Sequence, residues 1–133
     1  FQPYNDISDS DPGATFSYLT TELAKRSLFY LHMVEKGGNE ETSDFLSGRN
    51  ELFAKLRELW PNTLITNGGY NRVKADAVIG GGLADMVSFG APYLANPDLA
   101  ERLHSGAAYN EPDRATFYGG SAKGYTDYPF LGD

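Results

Sequence analysis

The sequence predicts an α/β fold with parallel strands, and three observations carry that expectation. Short apolar runs of strand length alternate with segments whose apolar residues recur at helical spacing. The first run is nearly continuous rather than alternating, as in parallel strands covered on both faces. Two later runs end in glycine just before a helical pattern, the arrangement by which a backbone presents N–H groups to an anion. Two architectures fit: part of a (β/α)8 barrel, or a small open sheet of the flavodoxin kind with the glycines along its binding edge. A whole barrel needs about 250 residues. The chain has 133, so the barrel reading makes residues 1–133 a single partial domain, three βα units long.

Residues 1–13 (FQPYNDISDSDPG) are rich in Asp, Ser, Pro and Gly and read as loop. Asp6, Asp9 and Asp11 crowd there, but without the glycine and distal glutamate of an EF-hand loop, so a solvated segment is expected rather than a metal site. Phe16, Leu19, Leu23 and Ala24 predict an amphipathic helix from Thr15 to Arg26 with its basic residues in the last turn. Leu28–Val34 (LFYLHMV) is the first strand, expected to be buried on both faces. His32 and Glu35 form an H-x-x-E pair. Residues three apart in a strand point to opposite faces, so the two should not share a ligand, and His32 is expected to be packed and hydrogen-bonded. Glu35–Ser47 reads as a polar βα loop containing Gly37-Gly38. Leu52, Phe53, Leu56 and Leu59 form the stripe of a helix over Arg49–Trp60, stopped by Pro61.

Thr63–Thr66 is the second strand and runs into Asn67-Gly68-Gly69. Asn71 should cap a helix over Arg72–Gly80, with Val73, Ala77 and Val78 facing the sheet. Ala84–Phe89 is the third strand, ending at Gly90. APYLANPDLAERLHSG then reads as a helical turn followed by a helix with Asn96 as cap and Pro97 at its first position. His104, near the end of that helix, suits a partner of the helix dipole. In a (β/α)8 barrel the loops after the last two strands commonly bind phosphate, so Gly68, Gly69 and Gly90 predict a phosphate cradle. The tail, Ala107–Asp133, sets Tyr109, Phe117, Tyr118, Tyr125, Tyr128 and Phe130 among Gly119, Gly120 and Gly124. Such a tail either packs over a flat ring or pins an extended segment to the domain.

Charge and composition exclude several functions. Eleven Lys and Arg against 18 Asp and Glu give a net charge of −7, and no basic cluster exceeds Lys25-Arg26, which argues against nucleic acid. Cysteine is absent, excluding disulfides and thiolate chemistry. No apolar run approaches the roughly 20 residues of a membrane span and nothing resembles a signal peptide, so a cytoplasmic chain with no membrane partner is expected. The sequence opens on Phe1 rather than Met, which suggests an absent or removed upstream segment.

TNGGYN, VSFGAPYLANPDLAERL and the tail TFYGGSAKGYTDYPFL closely resemble the C-terminal part of the Old Yellow Enzyme family, FMN-dependent NAD(P)H oxidoreductases or ene-reductases. The resemblance covers nearly the whole chain, and the tail signature F-Y-x-x-x-A-x-G-Y-x-D-Y-P is long and specific. It implies a (β/α)8 barrel of which these strands are the sixth, seventh and eighth. Gly68 and Gly69 match the family's phosphate donors after the seventh strand, and Gly90 the glycine after the eighth. Many members carry an arginine next; here Ala91 stands in its place, which removes a charge-assisted contact. Phe117 and Tyr118 match the aromatic pair beside the flavin, with Tyr118 lining the substrate side.

The family's substrate-binding histidines (or His/Asn pair), tyrosine proton donor and flavin-ring arginine lie on earlier strands, and neither His32 nor His104 matches them. No catalytic residue is therefore expected in this chain. The resemblance implies FMN, NADPH or NADH as reductant, and an activated alkene (an α,β-unsaturated carbonyl or nitro compound) as substrate. It also implies a partner: the N-terminal portion of the same barrel, or another copy of the chain. The alternatives are a catalytically inert partial barrel that self-associates and binds a phosphate, and an unrelated phosphate-binding α/β enzyme resting on the glycines alone.

Overall fold

Helix α1 (Pro12–Ala24) begins where the Asp11 carboxylate accepts the Ala14 N–H at 2.9 Å and Pro12 supplies a preset φ. The computed structural model describes residues 8–35 and 51–133. Within them α1 is followed by β1 (Tyr30–Val34), α2 (Glu51–Leu59), β2 (Thr63–Asn67), α3 (Arg72–Gly80), β3 (Met86–Val87), α4 (Ala91–Ala95), α5 (Leu99–Ser105) and a 3-10 turn at Arg114–Thr116. The chain packs as two units, Phe1–Ser88 and Phe89–Asp133.

The first unit is an α/β layer with a three-stranded parallel sheet in the order β1-β2-β3. Tyr30 pairs with Thr63 and Val34 with Asn67; Ile65 pairs with Met86. Along β2 the faces alternate, Leu64 and Thr66 buried, Thr63, Ile65 and Asn67 half-buried. Trp60, Leu64 and Val78 are fully buried, with Phe53, Leu56, Tyr70, Ala75 and Ala84 also in the core. The Trp60 indole N–H donates to the Thr63 carbonyl at 2.9 Å, so the largest core ring leaves no polar atom unsatisfied. α1 packs against α2.

Several boundaries and faces differ from the sequence expectation. α1 starts three residues early because Asp11 captures its N-terminus, and it ends at Ala24, leaving Lys25 as cap and Arg26 outside the helix. Its predicted stripe is shallow: Leu19 is exposed and Thr20 is its buried residue. β1 is not covered on both faces. Tyr30, His32 and Val34 are exposed, Leu31 and Met33 are half-buried, and Phe29 just before it is 84% exposed. Side chains of a strand point to its two faces, and among the described residues what packs on those faces leaves one set half-buried and the other exposed, so an apolar run does not guarantee cover. Asn71 caps α3 as predicted, accepting the Lys74 N–H at 2.9 Å. The buried face, however, is Lys74, Ala75 and Val78, while Val73 points outward at 59% exposure. β3 is only two residues long. Asp6, the loop from Lys36 to Ser47 and the predicted helix start at Arg49 lie outside the described residues.

In the second unit Asn96 is not a helix N-cap. It is fully buried at the end of α4, donating to Pro92 O (2.8 Å) and Asn110 O (3.2 Å) and accepting from Asn110 N (2.7 Å). Asp98 holds the N-cap position of α5 without capping it, because its carboxylate is used elsewhere: Arg102 Nε donates to one oxygen and Leu131 N to the other, both at 2.6 Å. Arg102, itself buried, also donates to Ala108 O (2.8 Å) and Pro129 O (3.0 Å). Asn110 Nδ2 adds bonds to Ala95 O and Pro129 O. One buried guanidinium and two asparagines thereby tie the returning tail to α4 and α5, which is the pinning reading of the tail. His104 lies in the last turn of α5.

Candidate functional site

The loop after β2 is built by its neighbours on both faces of the sheet. Gly68 has φ +146°, and a Cβ there would stand 2.9 Å from the Glu35 carbonyl oxygen. A backbone atom cannot yield as a flexible side chain can, so this position accepts only glycine. Gly69 follows at φ +68°. The Glu35 N–H donates to Asn67 O at 2.7 Å, drawing the end of β1 against the turn. On the buried face the Glu35 carboxylate accepts hydrogen bonds from Thr66 Oγ1 and from the Tyr70 hydroxyl, the latter at 2.5 Å. Thr66 and Tyr70 are themselves 3.3 Å apart and buried.

The opposite face carries a second polar set. Asn67 Nδ2 donates to Ser88 O (2.9 Å) and Ser88 Oγ (3.1 Å), and His32 Nε2 lies 2.9 Å from the same hydroxyl. His32 is therefore hydrogen-bonded but exposed, not packed. His32 and Glu35 do sit on opposite faces, as strand periodicity requires. Sequence reasoning passed over Thr66, Asn67, Tyr70 and Ser88. The legible signal was polar residues flanking a glycine pair at the end of an apolar run.

In the second unit Gly90 stands at the N-cap of α4 with open space where a Cβ would be, and Ala91 is the first helical residue. α4 has five residues, too short for a substantial macrodipole, so backbone N–H groups are what it offers an anion. Among the described residues, the N–H groups of Gly68, Gly69 and Gly90 meet no acceptor. Phe117 is half-buried at the end of the 3-10 turn, whereas Tyr118 is 99% exposed. Their backbone is fixed from below. Gly124, buried with φ +75°, lies so close to Thr116 that a Cβ would fall 1.8 Å from its hydroxyl oxygen. The Tyr125 hydroxyl donates to Phe117 O, and the Tyr128 hydroxyl accepts Asp113 N–H at 2.8 Å.

Two carboxyl groups lie below their ordinary range. The Leu64 N–H, first, and the Arg57 guanidinium lower Asp85 against an opposing desolvation. Arg102, then the Leu131 N–H, lower Asp98, again with desolvation opposing. Both are structural ion pairs rather than acid–base candidates.

Residues 2–110 match the model of the NADH:flavin oxidoreductase / NADH oxidase family. The chain belongs to this family. Within it, 12-oxophytodienoate reductase 1 of Oryza sativa subsp. japonica is 40% identical over 136 residues, covering 98% of this chain and 34% of its own. Among solved structures, morphinone reductase in complex with tetrahydroNAD superposes with a TM-score of 0.84 at 42% identity, over 98% of this chain and 34% of that one. The old yellow enzyme from Trypanosoma cruzi gives 0.79 at 35% identity, over 92% and 31%. The Old Yellow Enzyme resemblance thus holds, and the chain spans about a third of the length of the relatives it matches. No helix among the described residues is long and apolar enough to cross a membrane.

The family name implies a flavin. Within the first unit, the turn at Gly68 excludes any side chain, and the Gly68 and Gly69 N–H groups are not committed to other described residues, the chemistry that a phosphate group requires. Within the second unit, Gly90 likewise offers an N–H without a described acceptor, and Ala91 beside it carries no charge.

Proposed function

We propose that this chain is the C-terminal, FMN-binding part of an NAD(P)H-dependent flavin oxidoreductase that reduces activated C=C bonds, contributing the last three βα units of a (β/α)8 barrel. The observation that carries the reading is the turn after β2, where Glu35 O excludes a side chain at Gly68. In this reading Gly68, Gly69 and Gly90 donate backbone N–H groups to the FMN phosphate, which oriented dipoles stabilise without a cation. Ala91 lines the same phosphate but contributes no ion pair. Phe117 and Tyr118 lie beside the ring, Tyr118 on the substrate side. FMN, when bound, supplies the hydride chemistry between nicotinamide and the β-carbon of an α,β-unsaturated carbonyl or nitro compound.

The chain's own share is binding and orientation, and no catalytic residue is assigned to it. Substrate binding and proton donation fall to the N-terminal portion of the barrel, which is the partner the reading requires. The exposed edge of β1, with Phe29, Tyr30 and Val34, is the natural strand for that portion to pair with. The test is reconstitution with the N-terminal portion of a family member. Flavin absorbance should appear with the protein, together with NADH or NADPH oxidation driven by an enone. A folded mixture that stays colourless and inactive overturns the proposal.

A further inference from the structure

We propose that Glu35 is the positioning residue of the glycine turn, fixing Gly68-Gly69 before any anion arrives. The inference rests on the reading of that turn as a phosphate cradle. Glu35 reaches the turn by three routes. Its N–H donates to Asn67 O (2.7 Å), its carbonyl oxygen stands against Gly68, and its carboxylate spans the turn from below. The spanning matters most. One donor, Thr66, lies two residues before Gly68, and the other, Tyr70, directly follows Gly69. A single acceptor oxygen therefore bridges both ends of the flexible segment.

Two adjacent glycines otherwise retain more backbone freedom than any other pair, and an anion that binds them must remove it. A turn already held at both ends leaves that cost to folding and presents its N–H groups preorganised. The carboxylate is suited to this task because it accepts from both hydroxyls at once without rotating. Thr66 and Tyr70 are buried and Glu35 half-buried, so the two donors are held away from water that would compete for them. Asn67, bonded to Ser88 on the other face, holds the intervening residue. Glu35 touches no reacting atom in this scheme. It acts through the loop.

The test compares the wild-type chain with Glu35→Gln, Glu35→Ala and Tyr70→Phe. Backbone 15N order parameters of Gly68 and Gly69 should be about 0.85 in the wild type and Glu35→Gln, and about 0.6 or lower in Glu35→Ala. FMN affinity, measured by flavin fluorescence on the chain combined with the family's N-terminal portion, should fall at least about tenfold in Glu35→Ala. Glu35→Gln keeps an acceptor oxygen and should restore it; Tyr70→Phe should fall between. A folded Glu35→Ala with a rigid turn and unchanged affinity overturns the inference, as does failure of Gln to restore what Ala loses. Should Glu35→Ala not fold, Tyr70→Phe and Thr66→Val each remove one donor, and both readouts unchanged in them overturns it equally. A wild type that takes up no FMN overturns the flavin reading instead, and the order parameters then decide the anchoring of the turn by themselves.

Discussion

At the scale of single residues, the two ends of the proposed phosphate set behave differently. Gly68 is fixed by a backbone atom of another strand. Gly68→Ala should therefore destabilise the first unit by about 1–3 kcal/mol, combining positive-φ strain with the approach to Glu35 O, and urea unfolding measures it. Ala91 presents the opposite case, a first helical residue that brings no charge to the proposed set. Under the proposed reading Ala91→Arg adds a guanidinium beside the phosphate, and a charge-assisted hydrogen bond should tighten FMN about tenfold in the reconstituted protein. Titration at low and high salt separates that ion pair from unspecific attraction, since only an exposed charge is strongly screened. Unchanged affinity at both ionic strengths would remove Ala91 from the proposed contact set.

At the scale of elements, local chemistry was legible and tertiary cover was not. Asn71 could be read as a cap because its bond to Lys74 N closes within four residues. The strand at Thr63–Asn67 was legible from its apolar pair and the glycines that end it. β1 misled because LFYLHMV describes what the strand could bury, whereas exposure depends on what other elements pack against its two faces. Asn96-Pro97 looks like a cap and first turn, yet Asn110, fourteen residues on, recruits Asn96 instead. In the candidate site the glycines stood out, but the Glu35–Tyr70 bond joins residues 35 apart that meet only through parallel pairing. The buried centre of β2 gives the element-scale prediction. Leu64, like Val78 and Trp60, is fully buried in the core, so Leu64→Ala should cost about 2–5 kcal/mol, read from the denaturation midpoint at constant m-value.

At the scale of the whole molecule, each unit holds its own ion pair with a depressed carboxylate, Asp85 with Arg57 in the first and Asp98 with Arg102 in the second. A carboxyl whose folded pKa is lowered contributes stability above its unfolded value. That stability is lost as pH falls through the folded one. Both units should accordingly weaken as pH drops below about 4, with little change between about 6 and 8 from these groups. Asp85→Asn should flatten the acid slope of the first unit while leaving the second unchanged, and fluorescence or NMR probes placed in each unit distinguish the two. Equal flattening in both units would contradict the assignment.

The contact between Gly124 and Thr116 has a consequence for how the tail can vary. At Gly68 the obstacle is main chain, common to every residue type at position 35, so no second substitution removes it. At Gly124 the obstacle is a threonine side chain, with its hydroxyl, Cβ and methyl all inside contact distance. The two tail positions therefore form an epistatic pair: a side chain at 124 becomes sterically admissible only after 116 has shrunk, and the order of the two changes matters. In a library randomised at both positions, surviving non-glycine residues at 124, Asn or Asp foremost because they tolerate left-handed backbone, should appear only with glycine at 116, whereas 68 should stay glycine in every background.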